Sequence, residues 1–488
     1  MKEYDLVVIG GGPAGTPVAI EYAKLNSDKR VVIIEKKGEL GGECLFDGCI
    51  PSKIMEMSAK LIKELKTLED FGVVLDDVHY KLVWEKIVAR KEEILSRRTK
   101  AAKDNVEGLK NIDILKAEAS FIEEKSLLVM YEDKQTEQIL FDSCVIATGS
   151  KAFIPKYKGT GVDKIWTNED FFNRMELPNS LSIIGSGAIA IEFAQILSTL
   201  GVKINLISRR DGILKNIEKD FSQVVLDEIS ENKNINLILK ADVKEINYEN
   251  GFELLYEQNG QEKKCNSQKV LVATGRSANT SGLNLENIGV KQSKKGIETD
   301  RHLATSIQHI YANGDVVDGF PKFAHTEMYG AHTIAQNLFL GHNLFSIDYS
   351  KNSWVLFSTP NIAVAGLSES EAREKGLDVL VGVYDYSIDA KFQIENEKVG
   401  YLKFVVEKSS KKIIGVSAVL NEANAIIGEG AIIVSKGLTL SDVISTIHPH
   451  PTFSESFGFL AKQMMGQIML EKLKNPVVKS LLEIERFL

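Results

Sequence analysis

The sequence predicts an α/β protein in which two glycine-rich βαβ units precede a smaller α+β domain. The first unit spans residues 5–35 and the second spans residues 181–207, and each runs in the order strand, glycine-rich turn, helix, strand. After about Lys351 the pattern changes to short strands and short helices. At roughly 150 residues per domain, a chain of 488 residues is long enough for three domains.

The composition excludes several classes of protein. Lysine and arginine number 59 against 67 acidic residues, so the net charge is −8, and 44% of the residues are hydrophobic. Such a chain lacks the basic footprint of a nucleic-acid binder or a polybasic membrane protein. Its four cysteines are too few for a disulfide-stapled secreted scaffold, and neither a signal peptide nor a membrane-spanning apolar run is recognisable. We therefore expect the protein in the cytoplasm, or in an equivalent reducing interior.

The first βαβ unit has the spacing of a dinucleotide-binding fingerprint. A strand at residues 5–9 leads into a turn and a helix that ends near Leu25, and a second strand ends in Glu35. Glu35 stands where an acid accepts hydrogen bonds from a ribose hydroxyl. A chance glycine-rich turn is the alternative, but the strand, the helix and the acid together favour a cofactor site. The turn itself, which fits G-x-G-x-x-G, contains Gly10, Gly12, Pro13, Ala14 and Gly15.

The second βαβ unit predicts a second nucleotide site, which differs from the first in the residues that would contact the ribose. Gly185 and Gly187 begin its turn, and Ala190 stands at the third glycine position, where a small residue is tolerated. No acid ends the second strand, and Arg209 and Arg210 follow instead. Arginines suit a 2′-phosphate, which favours NADP(H) over NAD(H), although the same residues are compatible with a solvated strand end.

Two other segments are predicted from their sequence pattern. The segment from about Phe71 to Gly108 has helical periodicity and many charges, which predicts a surface helix of the first domain. The final stretch, Gln467 to Leu488, alternates apolar and charged residues. We expect it to pack on the third domain or on a partner chain, with a free interaction tail as the alternative.

Two of the four cysteines, Cys44 and Cys49, lie in one loop directly after the first βαβ unit. In an ideal helix residues five apart have Cα atoms roughly 8.7 Å apart, beyond the usual disulfide limit of about 6.8 Å. A bond between them therefore requires a distorted backbone, for which Gly48 and Pro51 are suitable. The alternatives are two unpaired buried cysteines or, less favoured because further ligands are lacking, a zinc site. We predict no metal.

At this point the chain resembles the flavin-dependent pyridine nucleotide disulfide oxidoreductases, the family of dihydrolipoamide dehydrogenase, glutathione reductase and mercuric reductase. The resemblance covers nearly the whole chain and is carried by seven motifs in the family order. They are Gly10–Gly15, Cys44–Lys53, Ala147–Ser150, Gly185–Glu192, Ala273–Arg276, Tyr311–Asp315 and His448–Glu455.

The resemblance implies a set of roles around a bound FAD. Glu35 would hold the adenosine ribose and Asp315 would lie near the ribityl chain. Lys53 would pair with Glu192 beside the flavin, although an ordinary salt bridge is compatible with the same pairing. Further cofactor contacts are implied for Gly42, Lys53, Thr148, Gly149, Gly275 and Gly314.

The resemblance also implies how the dithiol works. Cys49 would face the flavin and Cys44 would exchange with the substrate. His450 would be the base, contributed across the interface of a homodimer, and Glu455 would hold its ring. His448 is the less favoured base, because the motif His-Pro-Thr-x-x-Glu begins at His450.

The expected activity is electron transfer between a nicotinamide cofactor and a small disulfide, with a dihydrolipoyl dehydrogenase reaction as the leading hypothesis. An NADPH-dependent reductase of another small disulfide is the alternative, and a purely structural subunit of a lipoyl-bearing complex is the third. The expected partners are a small disulfide or a lipoyl-bearing carrier protein. The expected domains are an FAD-binding domain at 1–150 with 278–350 returning to it, an NAD(P)-binding domain at 151–277 and a dimerisation domain at 351–488.

Overall fold

The computed structural model describes residues 2–76 and 80–474, which form both helices and strands. The part of the predicted C-terminal tail beyond residue 474 lies outside the described residues. The helices are α1 Thr16–Leu25, α2 Gly42–Phe46, α3 Cys49–Thr67, α4 Trp84–Glu107, α5 Asn168–Arg174, α6 Ala188–Thr199, α7 Lys219–Glu231, α8 Ala324–Leu340, α9 Glu369–Glu374, α10 Ala390–Ile394, α11 Ala423–Lys436, α12 Leu440–Ile444 and α13 Glu455–Leu473.

The strands follow in chain order and group into several sheets. They are β1 Lys2–Ile9, β2 Val31–Ile34, β3 Ile112–Leu115, β4 Ala117–Glu123, β5 Ser126–Tyr131, β6 Thr136–Ile146, β7 Ser150–Ala152, β8 Ser180–Ile184, β9 Lys203–Ile207, β10 Ile235–Ile238, β11 Ala241–Tyr248, β12 Phe252–Gln258, β13 Gln261–Ser267, β14 Lys269–Val272, β15 Arg276–Ala278, β16 Gln292–Ser293, β17 Gly296–Ile297, β18 Ile310–Ala312, β19 Ser353–Leu356, β20 Asn361–Gly366, β21 Val379–Asp385, β22 Tyr401–Glu407 and β23 Ile413–Leu420.

The first βαβ unit forms the middle of a mixed sheet with the order β3-β2-β1-β6-β5-β4, and β18 also pairs with β6. Strands β1 and β2 are parallel, with Leu6 opposite Val31 and Ile9 opposite Ile34. All of β2 is buried. Such continuously apolar strands are typical of parallel sheets covered on both faces, and they place the glycine turn at the carboxyl end of β1.

The second βαβ unit forms a parallel sheet with the order β10-β9-β8-β14. A separate antiparallel sheet, β11-β12-β13, follows it in the chain, and the short pair β15 and β7 is antiparallel. These two βαβ sheets confirm the predicted pair of Rossmann-like units.

The chain divides into two compact units. The first comprises the described residues up to Ile213 together with Asn232–Asp348, and the second comprises Leu214–Glu231 together with the described residues from Tyr349 onward. In the second unit an antiparallel sheet with the order β19-β20-β23-β22-β21 packs against α11 and α13. The α+β prediction for the C-terminal part is therefore confirmed.

The predicted helix from Phe71 to Gly108 is shorter in the structure. A 3₁₀ turn ends at Phe71, and α4 begins only at Trp84. Gly72 follows the turn with a φ of 78°, a left-handed conformation that closes the turn and stops a helix from continuing. Periodicity alone did not reveal this interruption.

None of the described helices is both long enough and apolar enough to span a membrane.

Candidate active site

The two cysteines of the predicted redox pair lie on either side of a helix break. Cys44 lies in α2, which ends at Phe46, and Cys49 is the first residue of α3. Gly48 lies between the two helices with φ −143° and ψ −104°, so the backbone leaves helical geometry there. This distortion brings the Cys44 thiol within hydrogen-bonding reach of the Cys49 sulfur.

The two thiols differ in acidity. A hydrogen bond from Cys44 lowers the pKa of Cys49, and a backbone hydrogen bond at the start of α3 lowers this pKa further. The same bond, together with burial, raises the pKa of Cys44. Because a helix N-terminus also favours negative charge, Cys49 is the more acidic thiol of the pair. The two cysteines are not joined by a disulfide in this structure. Cys44 is half-buried and Cys49 is exposed.

Glu43, the residue before Cys44, is held by a two-pronged ion pair with Arg276 at the start of β15. Arg276 Nη1 donates to Glu43 Oε1 at 2.7 Å, and Nη2 donates to the other carboxylate oxygen. Arg276 Nε also donates to Ser150 Oγ at 2.7 Å. Burial by itself would lower the pKa of Arg276, but the hydrogen bond and the charge of Glu43 raise it. The ion pair therefore fixes α2 against the first residues of β7 and β15.

Asp47, which lies between the two cysteines, anchors the other side of the loop. Its side chain is 2% exposed and accepts a hydrogen bond from Lys37 Nζ at 3.3 Å. Asn168 Nδ2 donates to the backbone oxygen of Asp47 and to Glu43 Oε1, both at 2.8 Å. Burial raises the pKa of Asp47, and Lys37 opposes that effect.

Lys53 and Glu192, the pair that the resemblance implied, lie together in the structure. Lys53 Nζ donates to Glu192 Oε2 at 3.1 Å, and it also contacts Glu56 Oε2 at 2.6 Å. Lys53 lies on α3, one turn after Cys49, whereas Glu192 lies on α6 of the second βαβ unit. The ion pair thus joins the dithiol helix to the second nucleotide unit.

The first glycine turn forms a close-fitting backbone cradle. Gly10 has a φ of 110°, and a Cβ atom there would lie 2.2 Å from the Ala147 oxygen. A Cβ atom on Gly42 would lie 2.8 Å from Gly12 Cα, so two glycine backbones approach each other directly. The Glu35 carboxylate lies beside them because its Oε2 accepts the Gly11 N–H at 2.8 Å. Backbone N–H groups without side chains can donate to a pyrophosphate, and an adjacent carboxylate can accept from a ribose hydroxyl.

The remaining residues of this turn serve the start of α1. Pro13 and Ala14 precede Gly15, the N-cap of α1. A Cβ atom on Gly15 would lie 2.1 Å from the Gly10 oxygen, so the helix passes close to the strand end. This is the packing role that the third glycine of such a motif has.

Two chain connections, one before and one after the second βαβ unit, contain Thr148, Gly149 and Gly275. Thr148 Oγ1 donates to the Asn279 oxygen at 2.7 Å. Gly149 and Gly275 have φ values of 68° and 141°, which only glycine adopts readily. They therefore allow the chain to turn into and out of the β7 and β15 pair.

Gly314 and Asp315 begin a short 3₁₀ turn after β18. Asp315 Oδ2 accepts a hydrogen bond from Ser150 Oγ at 2.5 Å and lies 3.5 Å from Arg276 Nε. The carboxyl of Glu327, on α8, also hydrogen-bonds to Asp315. The pKa of Glu327 is raised to about 8, first by burial and then by the neighbouring negative charge of Asp315.

The second glycine turn is more open than the first. Gly185 has a φ of 144°, and a Cβ atom there would lie 2.3 Å from the Ala273 oxygen, whereas Gly187 has open space above it. Ala190 is fully buried at the start of α6. Arg209 and Arg210 are exposed after β9, at the same edge of the sheet.

His450 and Glu455 lie in the second compact unit. His450 Nδ1 lies 2.9 Å from Glu455 Oε2 and 3.1 Å from Oε1, so the carboxylate orients the ring from one side. The His450 side chain is 70% exposed and Glu455 is buried at the start of α13. His448 has its own partner, Glu429 Oε1 at 2.7 Å, and is nearly buried. This pairing leaves His450 as the accessible histidine of the motif.

Several residues in this arrangement were missed from the sequence. Glu43, Asp47 and Asn168 hold the cysteine loop, and Arg276 and Glu327 approach Asp315. Arg276 lies within one of the seven motifs, so the motif marked it without giving it a role. Asn168 and Glu327 had no signal in the sequence, because only the fold brings them to the loop.

The comparisons with known proteins agree with this geometry. The family model described as pyridine nucleotide-disulphide oxidoreductase matches residues 4–331, and the dimerisation domain of the same family matches residues 352–461. The chain belongs to the pyridine nucleotide-disulphide oxidoreductase family. It is therefore an FAD- and nicotinamide-dependent disulfide oxidoreductase with a dimerisation domain.

Individual relatives are similar over almost their whole length. The dihydrolipoyl dehydrogenase of Buchnera aphidicola subsp. Schizaphis graminum is 34% identical over 469 residues, which are 95% of this chain and 96% of that protein. The dihydrolipoyl dehydrogenase of Staphylococcus aureus is 32% identical over 467 residues, covering 95% of this chain and 97% of that protein.

The solved structures that are similar to this chain are also disulfide oxidoreductases. The HOCl-induced flavoprotein disulfide reductase RclA from Escherichia coli has a TM-score of 0.80 at 27% identity, covering 94% of this chain and 99% of that chain. Its Cu(II) complex has a TM-score of 0.81 at 26% identity, covering 95% of this chain and 100% of that one.

Proposed function

We propose that the protein oxidises a dihydrolipoyl dithiol to the lipoyl disulfide and passes the electrons to an oxidised nicotinamide cofactor. The observation that carries this proposal is the Cys44 and Cys49 pair, two hydrogen-bonded thiols of which the one at the helix N-terminus has the lowered pKa. The choice of a lipoyl substrate is supported by relatives that are named dihydrolipoyl dehydrogenase.

In this proposal the two cysteines have different tasks. Cys44 exchanges with the substrate: a substrate thiolate, formed when a base removes its proton, attacks the Cys44 sulfur of the oxidised pair, which forms a mixed disulfide and releases Cys49 as a thiolate. The second substrate thiol then attacks the substrate sulfur of this mixed disulfide, which closes the lipoyl disulfide and releases Cys44. Cys49 holds negative charge between turnovers, for which the start of α3 and the Cys44 hydrogen bond are suited. Glu43, Asp47 and Asn168 keep the loop between them in place.

The cofactor would be held by the first βαβ unit. Bound FAD supplies the electron acceptor for the dithiol and the hydride donor for the nicotinamide. The bare backbone of Gly10, Gly12 and Gly42 fits its pyrophosphate, and Glu35 fits the adenosine ribose. Thr148, Gly149, Gly275, Gly314 and Asp315 would line the rest of this site.

Lys53 and Glu192 would be the charged residues beside the flavin. A lysine beside the ring stabilises the negative charge that reduction adds, and Glu192 orients that lysine. The second glycine turn, Gly185, Gly187 and Ala190, would hold the nicotinamide dinucleotide.

The base would come from the second subunit of a homodimer. His450 would accept the proton of the dithiol, and Glu455 would hold the ring in the productive orientation. Support for dimerisation comes from the dimerisation-domain match at residues 352–461. The domain boundaries at 1–150, 151–277, 278–350 and 351–488 belong to the same proposal, as does a reducing compartment such as the cytoplasm.

The proposal is tested by rapid-mixing kinetics on the purified yellow protein. The protein is reduced by NADH or by NADPH and is then reoxidised with lipoamide. We expect reduction by NADH and reoxidation by lipoamide. Failure of lipoamide to reoxidise an enzyme that a nicotinamide cofactor has reduced would overturn the lipoyl assignment and leave the family unaffected.

A second function is favoured by one observation, the two exposed arginines after β9. They suit the 2′-phosphate of NADPH, in which case the protein is an NADPH-dependent reductase of another small disulfide. Replacing Arg209 and Arg210 together by serine separates the two functions. A large rise in the KM for NADPH, with the KM for NADH unchanged, favours this reductase.

A further inference from the structure

The short helix α5 holds the cysteine loop from outside. Its first residue, Asn168, is 7% exposed. The side-chain amide of Asn168 donates to the Asp47 backbone oxygen and to Glu43 Oε1, both at 2.8 Å. Both hydrogen atoms of this amide are therefore in use. A displacement of α5 would move two attachment points of the loop.

The other end of α5 is held by α4. Lys91 is 5% exposed, and its Nζ donates to the Phe172 backbone oxygen at 2.9 Å and contacts Glu92 Oε1 at 2.8 Å. Trp84 Nε1 donates to the Met175 backbone oxygen at 2.5 Å. The last carbonyl groups of a helix lack partners within that helix, and a cation is favourable at this negative end of the helix dipole. Two side chains of α4 therefore cap the end of α5.

Aromatic contacts fix α5 between its two ends. Phe171 is fully buried and packs edge-to-face on three rings. Their centroids lie 6.5, 6.2 and 5.2 Å away, in the order Trp84, Trp166 and Phe193. A helix of seven residues is too short to be stable alone. The position of α5 therefore depends on side chains from neighbouring elements, among which Lys91 is the buried cation.

We propose that Lys91 is a positioning residue of the cysteine pair, which fixes α5 and, through Asn168, the loop that carries Cys44 and Cys49. Lys91 thus acts through α5 rather than on the sulfur atoms. A fixed loop keeps the Cys44 thiol within hydrogen-bonding reach of Cys49. The inference rests on the proposed redox role of the two cysteines, but not on the identity of the substrate.

Alkylation of the reduced holoenzyme with iodoacetamide tests this role, and mass spectrometry identifies the modified cysteine. Lys91→Met keeps a buried apolar chain and removes the donor. The loosened loop should weaken the hydrogen bond from Cys44, so we expect the pH midpoint for Cys49 to rise by about half a unit, an approximately threefold change in proton affinity. Trp84→Phe keeps a ring, removes the other hydrogen bond to the end of α5 and should raise the midpoint as well. An unchanged midpoint in whichever of these variants retains FAD would overturn the proposal.

A double-mutant cycle separates this route from a general loss of stability. Asn168→Leu should also raise the Cys49 midpoint, and adding Lys91→Met to it should give no further rise, because the route from α5 to the loop is already broken. Additive shifts would overturn the proposal. The control, Lys103→Met, removes an exposed lysine of the same helix that contacts Glu107 at 3.4 Å, and it should keep the parent midpoint. Lipoamide is absent from these assays, so a failure of the lipoyl assignment would leave their result unaffected.

Discussion

At the scale of single residues, the proposed chemistry depends on an asymmetry between two thiols. Cys44 donates a hydrogen bond and Cys49 accepts it, and only Cys49 begins a helix. The sequence predicted the pair and the need for a distorted backbone. It did not predict which atoms hold the loop. Glu43, Asp47 and Asn168 hold it through contacts with residues that are far away in the chain or that belong to no motif.

Removing the hydrogen-bond donor should raise the pKa of Cys49. Cys44→Ala removes the donor, whereas Cys44→Ser retains a hydroxyl that can replace it. We therefore expect the pH midpoint for iodoacetamide alkylation of Cys49 to rise by about one unit in Cys44→Ala and by less in Cys44→Ser. With fewer thiolates at neutral pH, Cys44→Ala should also react more slowly there. Identical midpoints in the two variants would contradict the hydrogen bond as the cause.

His450→Ala should slow dithiol exchange with little effect on the bound FAD. Loss of a positioned general base costs about 10²–10⁴-fold in rate, and His450 lies in the second compact unit rather than in the glycine cradle. The measurement is lipoamide-dependent turnover, with the flavin absorbance as a check on FAD content. The matched control is His332→Ala, which removes another exposed histidine that contacts a carboxylate, at 2.6 Å from Glu21, and should retain full turnover. Full turnover of His450→Ala would remove the role of base from this residue.

At the scale of elements, ion pairs join segments that the sequence could only place separately. Lys53 on α3 contacts Glu192 on α6, and Glu43 on α2 contacts Arg276 on β15. Each pair connects the cysteine loop to an element far along the chain. The motifs predicted the first pair by resemblance, but the second depends on how β15 pairs with β7.

Arg276→Met should destabilise the first compact unit. The Arg276 side chain is only 16% exposed, and removing one partner of a buried ion pair costs about 3 kcal/mol, because the other charge remains buried without a counter-charge. The measurement is urea unfolding followed by tryptophan fluorescence and by FAD release. In the control, Arg97→Met breaks the exposed Arg97–Glu93 pair on α4 and should cost below about 0.5 kcal/mol. Adding Glu43→Gln to Arg276→Met should restore part of the loss, and an absence of recovery would contradict the pairwise origin.

At the scale of the whole molecule, the proposed site needs two copies of the chain. The cysteines lie in the first compact unit and His450 in the second, and the family model for residues 352–461 is a dimerisation domain. If each site combines the cysteines of one subunit with the histidine of the other, variants in different residues can complement each other.

Mixed dimers of Cys44→Ser and His450→Ala test this arrangement. Each variant alone should have almost no lipoamide turnover. After unfolding and refolding together, half of the dimers are mixed and one of their two sites is intact, so we expect about a quarter of the parent activity. Separately refolded and then mixed samples are the control. An absence of recovery, with mixed dimers present by mass spectrometry, would place both residues in the same subunit's site.

The sequence by itself determined the α/β class, the two βαβ units and the cysteine pair. These features depend on local patterns, since apolar strands, glycine spacing and adjacent thiols are all visible within short windows of the chain. Only the tertiary structure decided the partners of Arg276 and the burial of Glu327 on α8. Those features depend on contacts between residues far apart in the chain, and on the burial that raises the pKa of Glu327, neither of which a local pattern contains.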